Sequence, residues 1–302
     1  MALLKRIGLF LLTNIAVIFL FSLVIIFIEK IFGIDIRGSA GTSYTGLLIY
    51  ASIFGFLGAF FSLAISKWSA KKAYGIVPIS QTELYRLSQK EKLVYDTVLD
   101  IANKHGIKMP EVGIYHSPDP NAFATWATKN SSLVAVSSGL LDTMSEREVE
   151  AVVAHEMAHI VNGDMVTMTL LQGVMNTFVV FFSRILAEAI DKYTDGKMGW
   201  LWYNAAYLIL QITLGLFASL VVMAFSRHRE FKADEGSARF VGREKMIAAL
   251  HALKSMKELA PKDGGKFATM QINTQTLWGI QKLFMSHPPL EERINYLESL
   301  PL

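Results

Sequence analysis

From Ile7 to Ile28, a run of 22 residues, the only polar side chains are Thr13, Asn14 and Ser22. At about 1.5 Å rise per residue such a helix spans a hydrocarbon core of roughly 30 Å. No other feature narrows the fold as much, because in lipid a single segment must satisfy its own backbone groups, and an α-helix does so. The run is too long for the apolar region of a signal peptide and ends at Glu29 and Lys30 without a small-residue cleavage site, so it reads as a transmembrane helix.

The remainder of the chain agrees. Of its 302 residues 52% are hydrophobic and only 18% charged, which is more apolar than a soluble domain and points to a membrane protein with a soluble part. There is no cysteine, so disulfides are excluded and any metal must be held by imidazole and carboxylate. The net charge of +3 comes with no concentrated basic stripe, which sets nucleic acid aside as a partner.

A second apolar run, 47–65, follows a loop containing Arg37, Gly38, Ser39 and Gly41. Lys5 and Arg6 precede the first run, and Lys67, Lys71 and Lys72 follow the second. The positive-inside rule therefore puts both ends of this hairpin in the cytoplasm. Two more apolar runs, 165–182 and 200–225, flank a polar connection with Arg184, Glu188, Asp191, Lys192, Asp195 and Lys197. Both are long enough to cross. The weaker reading is a pair of amphipathic or buried helices, since Thr167, Thr169, Gln172, Asn176, Asn204 and Gln211 interrupt them. Crossing twice returns the chain to the cytoplasm at Ser226, where Arg227, His228, Arg229 and Lys232 suit that side.

Between these hairpins the pattern is that of a soluble α+β segment. Leu93, Val94, Val98 and Ile101 recur at helical spacing within 90–107, and 112–117, 121–128 and 132–138 read as strands, the last two as a hairpin. Ser145 with Glu148 three residues later is a capping box, which predicts a helix starting near Glu146 with Val149, Val152, Val153 and Ile160 on its apolar face. After the last apolar run, 243–259 is an amphipathic helix, 261–275 has no strong period, and HPPLEERINYLESL closes the chain.

The predicted helix at 146 carries HEMAH, residues 155–159. Histidines four apart share one helix face, close enough for both imidazoles to bind one zinc ion. Glu156 lies beside them, where a carboxylate can take a proton from water acidified by the metal. Two exposed histidines on a surface helix would give the same letters. A catalytic zinc needs three protein ligands and an open position. Downstream, RHREFKADEGSA at 227–238 offers Glu230 as a ligand, with Asp234 one turn on to hydrogen-bond Nδ1 of a ligand histidine. By itself that run is a solvated charged face; with HEMAH upstream the ligand reading is preferred.

NAFAT at 121–125, SLVAVSSGLL at 132–141, EREVEAVVAHEMAHIVNGDM at 146–165, SRHREFKADEGSA at 226–238 and SHPPLEERI at 286–294 together resemble the HtpX family. These are bacterial integral-membrane zinc metalloproteases related to CAAX prenyl proteases and to the mitochondrial protease Oma. The likeness runs in order along the whole chain. It implies His155 and His159 as zinc ligands, Glu156 as catalytic base, Glu230 as third ligand and Asp234 as the supporting aspartate. It also implies membrane-protein quality control under stress, alongside an ATP-dependent membrane protease. Trp126 stands where the family often has glycine.

Other residues are candidates on chemical grounds. Zinc peptidases hold substrate as a strand added to a sheet edge, and Asn121, Ala122 and Phe123 belong to the candidate edge, which reads equally well as an ordinary strand. His228, His287 and Arg293 are candidate donors to a tetrahedral intermediate, with Arg293 more readily a tie between the last helix and Glu230 or Asp234. Met144, Met157, Met165, Met168 and Met175 read as packing. Asp164 is either a partner of the ligand set or a polar stop before the membrane.

The expectation is a mainly α-helical membrane protein with four transmembrane helices and a cytoplasmic α+β zincin domain, gluzincin-like, with a small β-sheet. Residues 1–67 form the first hairpin (spans 7–28 and 47–65) and 165–225 the second (spans 165–187 and 199–225). The zincin domain is split between 68–164 and 226–302. Localisation is the bacterial inner membrane, with both termini and the active site cytoplasmic and one zinc ion per chain. Partners are the lipid bilayer and misfolded or damaged membrane proteins, which it cuts as an endopeptidase. The rival readings are a catalytically silent zinc-binding adaptor, against which Glu156 argues, and a transporter, against which the near absence of ionisable residues within the spans argues.

Overall fold

The computed structural model describes residues 23, 25–27, 29–31, 33, 35–126, 128–259 and 285–301. The expected first span therefore lies outside the described residues except near its end, and so does the segment 261–275. The chain divides into two compact units, one from Met1–Phe60 with Leu170–Ala218, the other from Phe61–Thr169 with Ser219–Leu302.

In the first unit a short helix α1 (Ile36–Thr42) leads to α2 (Tyr44–Tyr74), whose first half packs with parts of α6 (Asp164–Tyr193) and α7 (Gly199–Val241). Three helices among the described residues, α2, α6 and α7, are long and apolar enough to cross a membrane. Their backbones come close where side chains are small. A Cβ on Gly55 would lie 2.7 Å from the Gly173 carbonyl oxygen and 2.6 Å from the Thr177 nitrogen, the close approach typical of helices packed in lipid. Large apolar side chains such as Phe60, Val174, Phe178, Ile209 and Phe217 are exposed, far more apolar surface than water tolerates. The polar residues that interrupt these runs are satisfied locally: Thr177 Oγ1 donates to the Gly173 carbonyl and Gln172 to Asn176.

The helix that carries the expected span at 199–225 continues past Ser226. α7 is one unbroken helix of 43 residues, about 64 Å at 1.5 Å per residue, because HREFKADEGSARF continues with good helix formers and neither Gly236 nor any proline breaks it. The boundaries between the two units fall within α2, α6 and α7.

The second unit holds a four-stranded sheet in the order β1-β2-β4-β3. β1 (Val77–Pro78) is antiparallel to β2 (Glu111–Tyr115), β2 is parallel to β4 (Ser132–Ser137), and β4 is antiparallel to β3 (Ala122–Trp126). Every residue of β4 is buried, as an apolar central strand covered on both faces should be. β3 is an edge, with Ala122 opposite Val136 and Trp126 opposite Ser132. The strand β1 was not expected from the sequence; its two residues are too few to show a period.

Helix α3 (Gln89–Lys104) starts at a capping box of Ser88 and Glu91. The short α4 (Ser138–Thr143) leads to α5 (Glu146–Asn162), which begins where the Ser145–Glu148 box requires. α5 packs against α3, β3 and α8 (Arg243–Leu259), burying Val149, Val152, Val153, Met157 and Ile160 with Val94, Val98, Trp126 and Leu250. The last helix, α9 (Leu290–Ser299), adds Ile294 and Leu297 to this core.

Candidate metal centre

From Ala151 to Ile160 every residue of α5 is buried except Glu156. The two histidines stack one turn apart, their ring centroids 4.8 Å from each other and their planes nearly perpendicular. The late part of α7 lies against this helix. A Cβ on Gly236 would come within 2.6 Å of the Ala158 Cβ, and Ser237 Oγ donates to the Ala151 carbonyl at 2.7 Å, so only a glycine permits the close approach.

That approach delivers Glu230. Its Oε2 is 3.5 Å from His155 Nε2 and its Oε1 is 3.5 Å from His159 Nε2. One ligand atom from each of the three residues lies within 4.8 Å of the other two. Tetrahedral bonds of about 2.0–2.1 Å to nitrogen and oxygen imply ligand separations of roughly 3.3 Å, so the spacing suits a zinc-sized ion. The donor set of two imidazole nitrogens and one carboxylate suits it as well.

The other nitrogen of each ring is taken. Asp234 Oδ1 is 2.9 Å from His155 Nδ1, and Asp164 Oδ2 is 2.5 Å from His159 Nδ1. A carboxylate only accepts, so each Nδ1 carries a hydrogen, which leaves Nε2 of each ring as the nitrogen that would turn its lone pair toward a bound ion. Arg293 in turn grips Asp234 from α9, with Nη1 3.5 Å from Glu230 Oε2. His287 Nδ1 is 2.9 Å from the same Glu230 oxygen, on a side chain that is 60% exposed.

The pocket is electronegative. Burial works against protonated His155, yet its hydrogen bonds to Asp234 and Glu230 outweigh that and push its pKa up to about 10. His159 moves upward as well, burial again opposed by Asp164 and Glu230. Burial would raise the Glu230 carboxyl, but hydrogen bonds from His155, His159 and His287 hold it well below the usual range. Asp234 is lowered in the same way, burial being outweighed by Arg293 and His155. These buried groups are arranged to be offset by positive charge, which a divalent cation supplies.

Seven of the expected site residues thus converge: His155, Glu156, His159, Glu230, Asp234, His287 and Arg293. Ala122 and Phe123 begin the edge strand β3, which packs beside α5, and Asn121 immediately precedes it. The Asn121 backbone is pinned to the start of α4, its N–H donating to Ser137 Oγ and its carbonyl accepting from the Ser137 N–H, each at 2.9 Å. Trp126, in place of the family glycine, is buried in the core. His228 is not brought into the cluster: it is exposed, two residues from Glu230 and so on the far side of α7. Asp164, like His287 and Arg293, is a residue whose role the sequence left open. Its signal is the glycine between the ligand helix and the next one, since a left-handed Gly163 lets the following side chain fold back on the preceding turn.

Two histidines and a glutamate facing one another, with a second glutamate beside them on the histidine helix, define a metallopeptidase. The model for Peptidase family M48 matches residues 88–300. "Protease HtpX" of Idiomarina loihiensis is 49% identical over 97% of this chain and 99% of its own length, and that of Tolumonas auensis is 48% identical over 98% and 99%. The crystal structure of S. mikatae Ste24p superposes with a TM-score of 0.61 at 17% identity, covering 95% of this chain, which spans 66% of that one. The chain belongs to peptidase family M48, in its HtpX branch. It is a metalloprotease and, with its apolar helices and HtpX relatives, an integral membrane protein.

Proposed function

We propose that the chain is a zinc-dependent endopeptidase that cuts misfolded or damaged membrane proteins at the cytoplasmic face of the bacterial inner membrane, in the stress response and alongside an ATP-dependent membrane protease. The observation that carries this reading is the convergence of His155, His159 and Glu230 around one point, with Glu156 the single partly exposed residue of the buried helix stretch between and around the two histidines.

His155, His159 and Glu230 would hold the ion. Zinc bound there would supply a Lewis acid for the scissile carbonyl and would lower the pKa of a water toward about 7. Glu156 accepts a proton from the attacking water and returns it to the leaving amine, as the new C–O bond forms and the C–N bond breaks. The exposed His287 is placed to donate to the developing oxyanion, and Arg293, engaged with Asp234, positions rather than reacts. Substrate lies as an added strand along the outer edge of β3, where Asn121, Ala122 and Phe123 begin the strand and no other strand pairs among the described residues. Main-chain pairing of that kind admits varied sequences, as a quality-control protease requires. The basic residues Lys67, Lys71 and Lys72 at the end of α2 support the cytoplasmic placement.

The test is reconstitution in proteoliposomes with an unassembled membrane protein: internal cleavage products should appear, vanish with a zinc chelator and return with zinc. Because the chain lacks cysteine, a Glu244→Cys variant also reports sidedness by labelling in inner-membrane vesicles of known orientation. Labelling from the periplasmic side alone would refute the placement.

A further inference from the structure

We propose that Asp164 is a positioning residue for the metal centre: by accepting from Nδ1 of His159 it fixes the tautomer and ring plane that turn Nε2 toward the ion. The proposal rests on the metallopeptidase reading above and deepens it.

Three features of the local chain put Asp164 in place. α5 ends at Gly163, which takes φ 74° and ψ 30° and donates its N–H to the carbonyls of His159 and Ile160. This left-handed cap reverses the chain within one residue, so that a side chain five positions after His159 returns to its ring. Lys129 Nζ secures the same turn from the β3–β4 connection by donating to the Val161 carbonyl at 2.6 Å. Finally, Asp164 is the first residue of the 30-residue helix α6, so its position is set by the start of that helix.

The far side of Asp164 is closed by α7. Arg229, the neighbour of Glu230, donates from Nη1 to the Asp164 carbonyl at 3.4 Å and sets Nε 3.5 Å from Oδ2. Asp164 is buried, and the 2.5 Å contact to Nδ1 is its short one. Each ligand histidine therefore has its own carboxylate, Asp234 for His155 and Asp164 for His159; Arg293 holds Asp234 by two hydrogen bonds, and Arg229 lies at ion-pair distance from Asp164. The arrangement also makes the start of α6, a helix able to cross a membrane, part of the support of the metal site. Without Asp164 the imidazole of His159 could turn or adopt the other tautomer, and losses of about 10- to 100-fold in metal affinity are usual when such partners are removed.

The experiment is zinc titration against a competing chelator on the full-length protein in detergent, with cobalt substitution to read ligand geometry from the visible spectrum. Native protein should bind one equivalent and His159→Ala should lose it; absence of zinc binding in the native protein sinks the metallopeptidase reading itself. Given native binding, Asp164→Ala should bind about 10- to 100-fold more weakly and alter the cobalt spectrum. Asp164→Asn keeps a neutral acceptor and should fall between the two. A residue that merely stabilised the fold would lower the melting temperature and leave the cobalt spectrum of the folded protein unchanged. Affinity within twofold of native in Asp164→Ala overturns the proposal, and should that variant not fold, native affinity in Asp164→Asn overturns it.

Discussion

Arg293 closes on Asp234 with two hydrogen bonds, Nε to Oδ2 at 2.7 Å and Nη2 to Oδ1 at 2.6 Å, and both side chains are buried. α9 is thereby locked to α7 at the point where Asp234 supports His155. Removing one partner of such a pair strands the other charge. Arg293→Ala should therefore cost about 3–5 kcal/mol in chemical denaturation of the metal-free protein. Arg293→Lys, unable to make the paired contact, should recover only part of it. A cost below about 1 kcal/mol for the alanine variant would mean that the pair does not hold the helices together.

Gly163 adopts the left-handed conformation that L side chains disfavour, and a Cβ there would sit 3.1 Å from Lys129 Cε. Gly163→Ala should lower stability by about 1–2 kcal/mol, measured as a shift in the urea midpoint. An unchanged midpoint would show that the turn relaxes without strain.

Glu111 sits between Lys67 and Lys71, at 2.9 and 3.0 Å. Burial pulls its carboxyl upward, but the two lysines outweigh burial and its pKa lies below the ordinary value. A depressed folded pKa stabilises above the unfolded value of about 4.3 and is lost as pH falls through the folded one. Because the group is 40% exposed, the effect is small. Glu111→Gln should cost at most about 1 kcal/mol at pH 7. The native and variant melting curves should converge below pH 4, and a difference that grows on acidification would reverse the assignment.

Local signals carried much of this architecture. The Ser145–Glu148 box marks the first residue of α5, and the period of 243–259 marks α8 to the residue, because caps and amphipathic faces are written within one segment. The three longer strands fall within about two residues of their expected ends at 112–117, 121–128 and 132–138. What failed to show were facts set by distant contacts. β1 exists only because Ile114 and Gly113 of β2 offer it partners. His228 was a candidate donor to a tetrahedral intermediate, whereas helical rotation turns it away from Glu230. Asp164 was ambiguous for the opposite reason, since its role depends on the sign of one backbone angle at Gly163.

The central claim is that Glu156 moves the proton at a zinc site held by His155, His159 and Glu230. It is tested most directly by measuring zinc content and membrane-protein cleavage together on the native and Glu156→Gln forms. The account predicts one zinc per chain in both forms and a fall in cleavage rate of about 100-fold or more in the variant. Full cleavage by Glu156→Gln with zinc retained would contradict it.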